Sequence, residues 1–331
     1  MDEEIIEHLI SFIKLHSEAQ GFGITWYGGE PLLAFEVIQK ILNRIRAEIN
    51  IPLKGHSIIT NGYYFTDKVI QFFKEYPLNS IQITLDGNKE RHNSLRKQKI
   101  TGEGTYDRII TNIDNILDEL PNTKVSIRVN IEKNNIQDFL DAHQYLTNRW
   151  KDKNIVIYPG ILRIDNEDMT ALACNALDRW ETNELLFELS KNKIIDSAIY
   201  PELHWNKNCC ATKTDSYIIG PRGEIYKCWN DVSDDQKIIG YINNDTLTNP
   251  SLLYRYLIGS KWYHNSDCKD CFFLPICHGT CAWYRLRNLY EKGKYDICDC
   301  LQKSPEMLNK CLEYYYNNQI PCIESSCSAC C

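Results

Sequence analysis

The sequence lacks the features that mark membrane, secreted and nucleic-acid-binding proteins. Its 331 residues carry a net charge of −7, so no basic excess points to nucleic acid or to an anionic membrane surface. The N-terminus has no positively charged region of a signal peptide. No apolar run approaches the roughly 18 residues that span a bilayer. We therefore expect a cytoplasmic protein with neither nucleic acid nor membrane as its partner.

Cysteine is absent from the first half of the chain and abundant in the second. No cysteine precedes Cys174, and all but one of the fifteen cysteines lie beyond residue 200. In a reducing compartment, so many thiols indicate metal ligation rather than disulfides. The sequence therefore confines any metal to the C-terminal part of the chain.

The N-terminal part alternates between helical and strand periods after an opening helix over residues 2–19. The predicted strands are 24–27, 56–60, 80–85, 124–131 and 154–161, and the helices between them are 35–49, 66–76, 105–119 and 136–150. Strands joined by helices of this length form a parallel sheet with right-handed crossovers, which is the α/β class. Because such a repeat should begin with a strand, the pattern predicts a further strand upstream of the opening helix.

Polar residues and glycines follow the predicted strands, at the edge where parallel α/β proteins bind ligands. These segments are Gly28-Gly29-Glu30-Pro31, Thr60-Asn61-Gly62, Thr84-Leu85-Asp86-Gly87 and Arg128-Val129-Asn130. Two adjacent glycines let a backbone approach a ligand closely, and a carboxylate can accept hydrogen bonds from an ammonium group. A single glycine after a strand is most often only a turn, so the argument depends on their joint occurrence.

The C-terminal part contains four thiols in one short run, Cys268-x2-Cys271-x5-Cys277-x3-Cys281. A tight C-x2-C knuckle followed by longer gaps is typical of a chain wrapped around a metal centre. Upstream, Cys209 and Cys210 precede a predicted hairpin over residues 216–228 that ends at Cys228. Ligand type alone leaves structural zinc and iron–sulfur clusters open.

The order of these motifs resembles a known family. The C-terminal cysteine pattern resembles the SPASM domain of radical S-adenosylmethionine (SAM) enzymes of the peptide- or protein-modifying type. That pattern is a Cys, then G-x4-C (here Gly223 to Cys228), then C-x2-C-x5-C-x3-C and a last Cys. The segments Gly28-Gly29-Glu30-Pro31 and Leu85-Asp86-Gly87 resemble their partial (β/α) barrel. The resemblance covers about residues 5–302.

The resemblance implies a division of the chain into four parts: a partial radical SAM barrel without its first strand (1–165), a helical linker (166–204), a small cysteine-rich SPASM domain (205–302) and a helical, cysteine-rich tail (303–331). The linker is predicted to be helical from about residue 171 to 193. Nothing in the pattern assigns a role to the tail cysteines from Cys322 to Cys331.

The resemblance also implies ligands for two cofactors. Gly28, Gly29 and Glu30 would hold the amino group of SAM, and Thr84 and Asn130 its carboxylate and ribose. One [4Fe-4S] cluster would take Cys210, Cys228 and Cys281, and its fourth iron would either bind Cys209 or be left open or held by substrate. A second [4Fe-4S] cluster would take Cys268, Cys271, Cys277 and Cys300, with Cys298 as the alternative to Cys300.

Two features depart from the family pattern. The C-x3-C-x2-C run that holds the catalytic cluster is absent, so a third cluster is expected only if an upstream segment supplies it. In sulfatase-maturing members an Asp directly follows the G-x4-C cysteine, whereas here Trp229 follows and Asp231 comes later. The sequence predicts a protein that modifies a ribosomal peptide or protein through a 5'-deoxyadenosyl radical, inactive as this chain stands. The alternatives are a non-catalytic iron–sulfur partner of a peptide maturase and a zinc-binding interaction module.

Overall fold

The structure, a computed structural model, describes residues 1–162, 175–195, 209–244, 246–261, 265–274, 281–295, 298 and 304–319. The chain divides into two compact units. The first, the barrel unit, is Ile13–Thr182. The second, the cysteine-rich unit, consists of Met1–Phe12 together with Asn183–Cys331.

The barrel unit is built on a five-stranded parallel sheet in which the strands follow one another in chain order. The strands are Phe22–Trp26 (β1), Leu53–Thr60 (β2), Ser80–Leu85 (β3), Lys124–Ile131 (β4) and Ile155–Ile161 (β5). The predicted α/β class and the five parallel strands are confirmed. Their ends differ from the predicted ones by at most three residues.

Helices connect the strands and cover one face of the sheet with their apolar sides. After an opening helix, Glu3–Leu15 (α1), they are Phe35–Glu48 (α2), Asp67–Glu75 (α3), Lys89–Leu95 (α4), Tyr106–Glu119 (α5) and Ile136–Arg149 (α6). In α2 the buried positions Ile38, Ile41, Leu42 and Ile45 recur at helical spacing, which is why this segment forms a helix that packs on a sheet.

Two helical predictions are corrected by the structure. The short helix α4 is absent from the predicted elements, and it begins where the Asn88 side chain accepts a hydrogen bond from Arg91 N at 3.0 Å. The linker helix runs Arg179–Lys191 (α7) rather than from residue 171; residues 163–174 lie outside the described part, and 175–178 are not helical. Asp178 and Glu181 form a reciprocal capping box, each accepting from the other's backbone N–H at 2.8 Å, and this fixes the start.

The cysteine-rich unit contains a small antiparallel sheet and short helices. Its strands are Ile218–Ile219 (β6), Glu224–Tyr226 (β7) and Gly240–Tyr241 (β8), and its further helices are Pro250–Tyr254 (α8), Ser266–Lys269 (α9), Ala282–Tyr290 (α10) and Pro305–Gln319 (α11). The predicted hairpin is confirmed, because β6 and β7 pair antiparallel.

The core of this unit joins the N-terminal helix α1 to residues from the C-terminal part of the chain. Trp283 and Leu286 of α10 are buried together with Ile225 of β7, and Ile5 and Leu9 of α1 pack against this cluster. The N-terminal turns of α1 are therefore part of the cysteine-rich unit. None of the helices within the described residues is long and apolar enough to cross a membrane.

Candidate functional site

The sheet of the barrel unit has one apolar face and one polar face. Burial alternates strictly along β3 and β4. The buried positions carry Ile, Leu and Val, while the half-buried positions of these two strands that follow Ser80 carry Gln82, Thr84, Ser126, Arg128 and Asn130. A parallel sheet covered on both faces by helices would be apolar on both. The polar face, defined by these five side chains, is therefore built to contact a polar ligand or solvent.

Hydrogen bonds tie the base of the polar face together. Ser80 Oγ donates to Ser57 Oγ at 2.8 Å between β3 and β2. Tyr158 of β5 donates its hydroxyl hydrogen to Gln82 Oε1 at 3.0 Å. These contacts occupy the side chains toward the amino ends of the strands and leave the carboxyl edge to Thr84, Arg128 and Asn130.

Arg128 is the residue on this face that the sequence interpretation missed. Its Nε is buried and has no hydrogen-bond partner among the described residues. A Cβ at position 160 would lie 2.2 Å from that Nε and 2.9 Å from Asn130 Oδ1, so only glycine fits beside them. The signal in the sequence was an arginine in the middle of a predicted β-strand. A charged side chain that is partly buried at such a position needs an opposite charge or a hydrogen-bond partner.

The segment after β1 combines an open backbone with a fixed carboxylate. Gly28 has φ of +142°, and a Cβ at Gly28 or Gly29 would meet nothing within 4 Å. Glu30 accepts three hydrogen bonds, from Leu32 N at 3.1 Å, Thr60 Oγ1 at 2.7 Å and Asn61 N at 2.7 Å. A carboxylate has about four lone-pair sites, so Glu30 clamps this turn to the end of β2 and keeps one site for a further donor.

Thr84 and Asn130 lie on the same polar face, on neighbouring strands. Thr84 is the register partner of Arg128, and Asn130 follows Arg128 by two residues. Asn130 Nδ2 donates to Asp86 Oδ1 at 2.8 Å. The structure thus brings Thr84, Asn130 and the glycine segment to the carboxyl edge of one sheet, as the sequence predicted, although Asn130 already has a protein partner.

Asp86 lies at the centre of a buried polar network behind this edge. It pairs with Arg96 and accepts from Asn130. Burial alone would raise the pKa of Asp86, but the hydrogen bonds and charge of Arg96 outweigh it and hold that pKa below its usual range. His92 accepts from Asp86 N through Nδ1 at 3.3 Å and contacts Thr105 Oγ1 through Nε2 at 3.0 Å. Burial lowers the pKa of His92 to about 4.

The cysteine-rich unit brings the thiols of the first predicted cluster into one neighbourhood. Cys209 and Cys210 are hydrogen-bonded, which lowers the pKa of Cys210 to about 6. Burial raises the pKa of Cys228 to about 12, and the Cys281 and Cys209 thiols contribute to that rise. Cys209, Cys210, Cys228 and Cys281 are all free thiols. The four therefore form an electrostatically linked group, here named the first thiol group.

The first thiol group can be compared with the ligand sets of a single metal ion and of a cluster. Within the part of the chain that the structure describes, no three His, Cys, Asp or Glu side chains come together to hold one metal ion. A cubane cluster binds each thiolate to a different iron, so its ligands stand farther apart than those of one zinc ion. Four cysteine thiols are the donor set of a [4Fe-4S] cluster, and zinc also accepts four thiolates.

The second predicted cluster is described only in part. Cys271 N donates to Cys268 O at 3.2 Å, which forms the tight knuckle expected of a C-x2-C pair. Cys268, Cys271 and Cys298 are thiols rather than halves of a disulfide. Cys277, Cys300 and the tail cysteines Cys322–Cys331 lie outside the described residues.

The side chain of Asp231 is buried in the core of the cysteine-rich unit. It is 2% exposed and accepts from Tyr256 Oη at 2.6 Å and from Trp283 Nε1 at 3.0 Å. Burial raises its pKa above the usual range, although both donors oppose that rise. Asp231 therefore braces the core of the cysteine-rich unit.

Comparison with curated proteins finds similarity to enzymes along most of the chain. A cysteine-type anaerobic sulfatase-maturating enzyme of Clostridium novyi (strain NT) is 25% identical over 316 residues, which cover 85% of this chain and 78% of that protein. The radical SAM cyclopropyl synthase TigE of Paramaledivibacter caminithermalis is 22% identical over 312 residues, 84% of this chain and 57% of that protein.

Solved structures share the fold. Native anSMEcpe with bound AdoMet and Cp18Cys peptide superposes with a TM-score of 0.71 at 19% identity, covering 96% of this chain and 89% of that chain. A histidine-tagged form of anSMEcpe with bound AdoMet gives a TM-score of 0.71 at 19% identity, covering 96% of this chain and 84% of that chain. Residues 1–146 match the family model of the radical SAM superfamily. Residues 1–146 of this chain therefore contain a radical SAM domain.

Proposed function

We propose that this protein is a SPASM-type peptide or protein maturase of the radical SAM superfamily, which binds SAM at the polar face and two [4Fe-4S] clusters in the cysteine-rich unit. The observation that carries the proposal is the first thiol group, four free thiols gathered in a chain that also contains a radical SAM domain. The relatives support a peptide or protein substrate, since one is a sulfatase-maturating enzyme and one solved structure holds a peptide.

The residues of the barrel unit fit the methionine end of SAM. Arg128 and Thr84 offer a guanidinium and a hydroxyl side by side, which suits a carboxylate. The open backbone of Gly28 and Gly29 admits an ammonium group close to the main chain, and Glu30 keeps one lone-pair site for it. Asp86 and Arg96 hold Asn130, so that its remaining amide hydrogen and oxygen face a fixed direction. We assign Arg128 to the carboxylate and Asn130 to the ribose.

The cysteine-rich unit would hold the clusters and thereby supply electron transfer. Cys209, Cys210, Cys228 and Cys281 would bind the first cluster. Cys268, Cys271, Cys277 and Cys300, or Cys298 in place of Cys300, would bind the second. A reducing cytosol keeps such thiols available to iron. The proposal includes the domain boundaries predicted from the sequence, with a radical SAM barrel over residues 1–165 and a SPASM domain over residues 205–302.

A non-catalytic role is the second candidate, and one observation favours it. Between residues 1 and 173 the sequence has no cysteine, so this segment offers no thiolate for a cluster that cleaves SAM. The chain would then serve as an iron–sulfur partner of a maturase that does the cleavage. Both candidates require the clusters of the cysteine-rich unit.

Metal analysis tests the proposal. Protein reconstituted anaerobically with iron and sulfide should hold about eight irons and eight acid-labile sulfides per chain, because each cubane takes four of each. Stoichiometric zinc without sulfide, in protein from anaerobically grown cells, would overturn it in favour of a zinc-binding module. Short peptides are co-expressed with this protein in one experiment and with the maturase assumed by the second candidate in another. Mass spectrometry of the peptides then tests which of the two proteins modifies a substrate.

A further inference from the structure

Lys227 is a buried ammonium beside the first thiol group. It directly follows β7 and directly precedes Cys228, and its side chain is only 1% exposed. It makes no ion pair with a carboxylate within the described residues, although these include Asp215 and Glu224 on the same hairpin. A buried charge is costly unless something of opposite sign or polarity compensates it. Its position therefore requires hydrogen-bond acceptors or negative charge close to the ammonium group.

Two backbone carbonyls hold the ammonium in place. Lys227 Nζ donates to Lys213 O and Ser216 O, each at 2.5 Å, and lies 5.3 Å from the centre of the Tyr217 ring. Lys213 N in turn donates to Cys210 O at 3.1 Å, at the end of the turn that begins with Cys210. The ammonium thus connects the segment after Cys210 to the residues that follow β7, which include Cys228.

We propose that Lys227 is the positioning residue and charge partner of the first thiol group when that group binds a cluster. Its hydrogen bonds fasten the segment bearing Cys209 and Cys210 against Cys228, and its positive charge offsets the thiolates. The inference rests on the proposed function, since it presupposes a [4Fe-4S] cluster on these thiols. Lys227 is then a residue outside the ligand set that positions the thiols and shifts the midpoint potential of the cluster.

The charge has a consequence that a purely structural side chain would not have. A [4Fe-4S] cluster with four thiolates is anionic, and one-electron reduction makes it more so. A fixed cation close by and away from water favours the reduced form over the oxidised form. Lys227 should therefore raise the midpoint potential of the first cluster and leave the second cluster unchanged.

A redox titration of the reconstituted full chain tests the proposal. The reductant is dithionite with mediators, and the reduced clusters are followed by electron paramagnetic resonance. Lys227→Gln should lower the ratio of reduced to oxidised first cluster about tenfold at the wild-type midpoint, which for a one-electron couple is a shift of about 59 mV. Lys227→Arg keeps the charge and should keep the wild-type midpoint. Lys213→Gln removes an exposed charge from the same segment and should also leave it unchanged, because water and salt screen that charge.

The outcomes separate the inference from the proposed function. Loss of the first cluster in Lys227→Gln but not in Lys227→Arg would also support the proposal, since charge alone then distinguishes the variants. Equal midpoints in Lys227→Gln and the wild type would overturn it, as would loss of the cluster in both Lys227 variants. Wild-type protein without acid-labile sulfide would instead overturn the proposed function itself.

Discussion

Thr84 and Arg128 are register partners on the neighbouring parallel strands β3 and β4, so their side chains lie side by side on the polar face. The Nε of Arg128 is buried without a partner among the described residues. The desolvation of that guanidinium nitrogen is compensated only when an acceptor binds. The pair is therefore best explained as a prepared site for an anionic group, and the carboxylate of SAM has the right chemistry.

Replacement of Arg128 by Gln should weaken SAM binding by roughly tenfold to a hundredfold, the range expected for a hydrogen bond to a charged group. Calorimetry or equilibrium dialysis at high protein concentration measures it. Lys124→Gln is the matched control, since Lys124 lies on the same strand and face but at its amino end, four residues away. Unchanged SAM affinity in Arg128→Gln would contradict the assignment.

Replacement of Glu30 by Gln should destabilise the barrel unit by about 1–3 kcal/mol. The amide nitrogen would face Asn61 N or Thr60 Oγ1, which now donate to a carboxylate oxygen. Urea unfolding followed by circular dichroism gives the difference in free energy. Glu18→Gln, at an exposed turn of the same unit, should cost almost nothing. Equal stability of the two variants would show that Glu30 does not clamp the turn.

The sheet could be predicted from the sequence because period-two and helical patterns alternate along residues 22–161. The helix α4 could not, because Lys89–Leu95 is polar nearly all round and has no apolar stripe. Its start depends on the hydrogen bond from Arg91 N to the Asn88 side chain. An asparagine in the sequence marks the start of a helix only when the path of the backbone after it is known. The start of α7 was predicted too early, although Asp178 and Glu181 carry a capping-box spacing.

The site could be predicted only where one short segment carries the information. The two glycines at 28 and 29 indicate an open backbone, and Glu30 adds a carboxylate beside it. The position of this segment after a strand follows from the local sequence pattern. The clamp from Glu30 to Thr60 joins residues thirty positions apart, which no local pattern contains. Arg128 was missed because a parallel strand is expected to be buried on both faces. The alternation of polar and apolar residues is visible in the sequence, but the pairing of Arg128 with Thr84 emerges only from the register of β3 and β4.

His92 should make the stability of the barrel unit depend on pH. Its pKa is lowered by burial from 6.5 to about 4, so below pH 6.5 the unfolded chain binds a proton that the folded chain does not. Its stabilising contribution is therefore complete above pH 6.5 and is lost as the pH falls toward 4. The loss is about 1 kcal/mol at pH 5.5 and about 3 kcal/mol at pH 4.

The His92→Gln variant isolates this contribution. Burial also lowers the pKa of His56, so the wild type alone cannot assign the slope to one histidine. Urea unfolding at pH 7.5 and pH 5.5 should show a smaller loss of free energy in His92→Gln than in the wild type. The same loss in both proteins would mean that His92 titrates normally in the folded state.

Replacement of Cys271 by Ala should remove one cluster and leave the other, so that iron and sulfide fall to about half. Cys271 belongs to the knuckle with Cys268 and is not a member of the first thiol group, although Cys281 of that group follows in the same run. Cys311→Ala is the matched control, because Cys311 is a free thiol buried on α11 outside every motif. Full iron in Cys271→Ala, or equal losses in the two variants, would contradict the assignment of two separate clusters.

The 331-residue chain should form no 5'-deoxyadenosine from SAM under dithionite, as measured by chromatography. Reductive cleavage in this superfamily needs an iron with an open position beside the bound SAM, and residues 1–173 offer no thiolate to hold one. Arg128, Thr84 and Glu30 can orient SAM, but they cannot donate an electron to its sulfonium. Formation of 5'-deoxyadenosine would contradict this. Its loss in Cys281→Ala, with retention in Cys311→Ala, would then assign cleavage to the first thiol group and make the cysteine-rich unit the catalytic one.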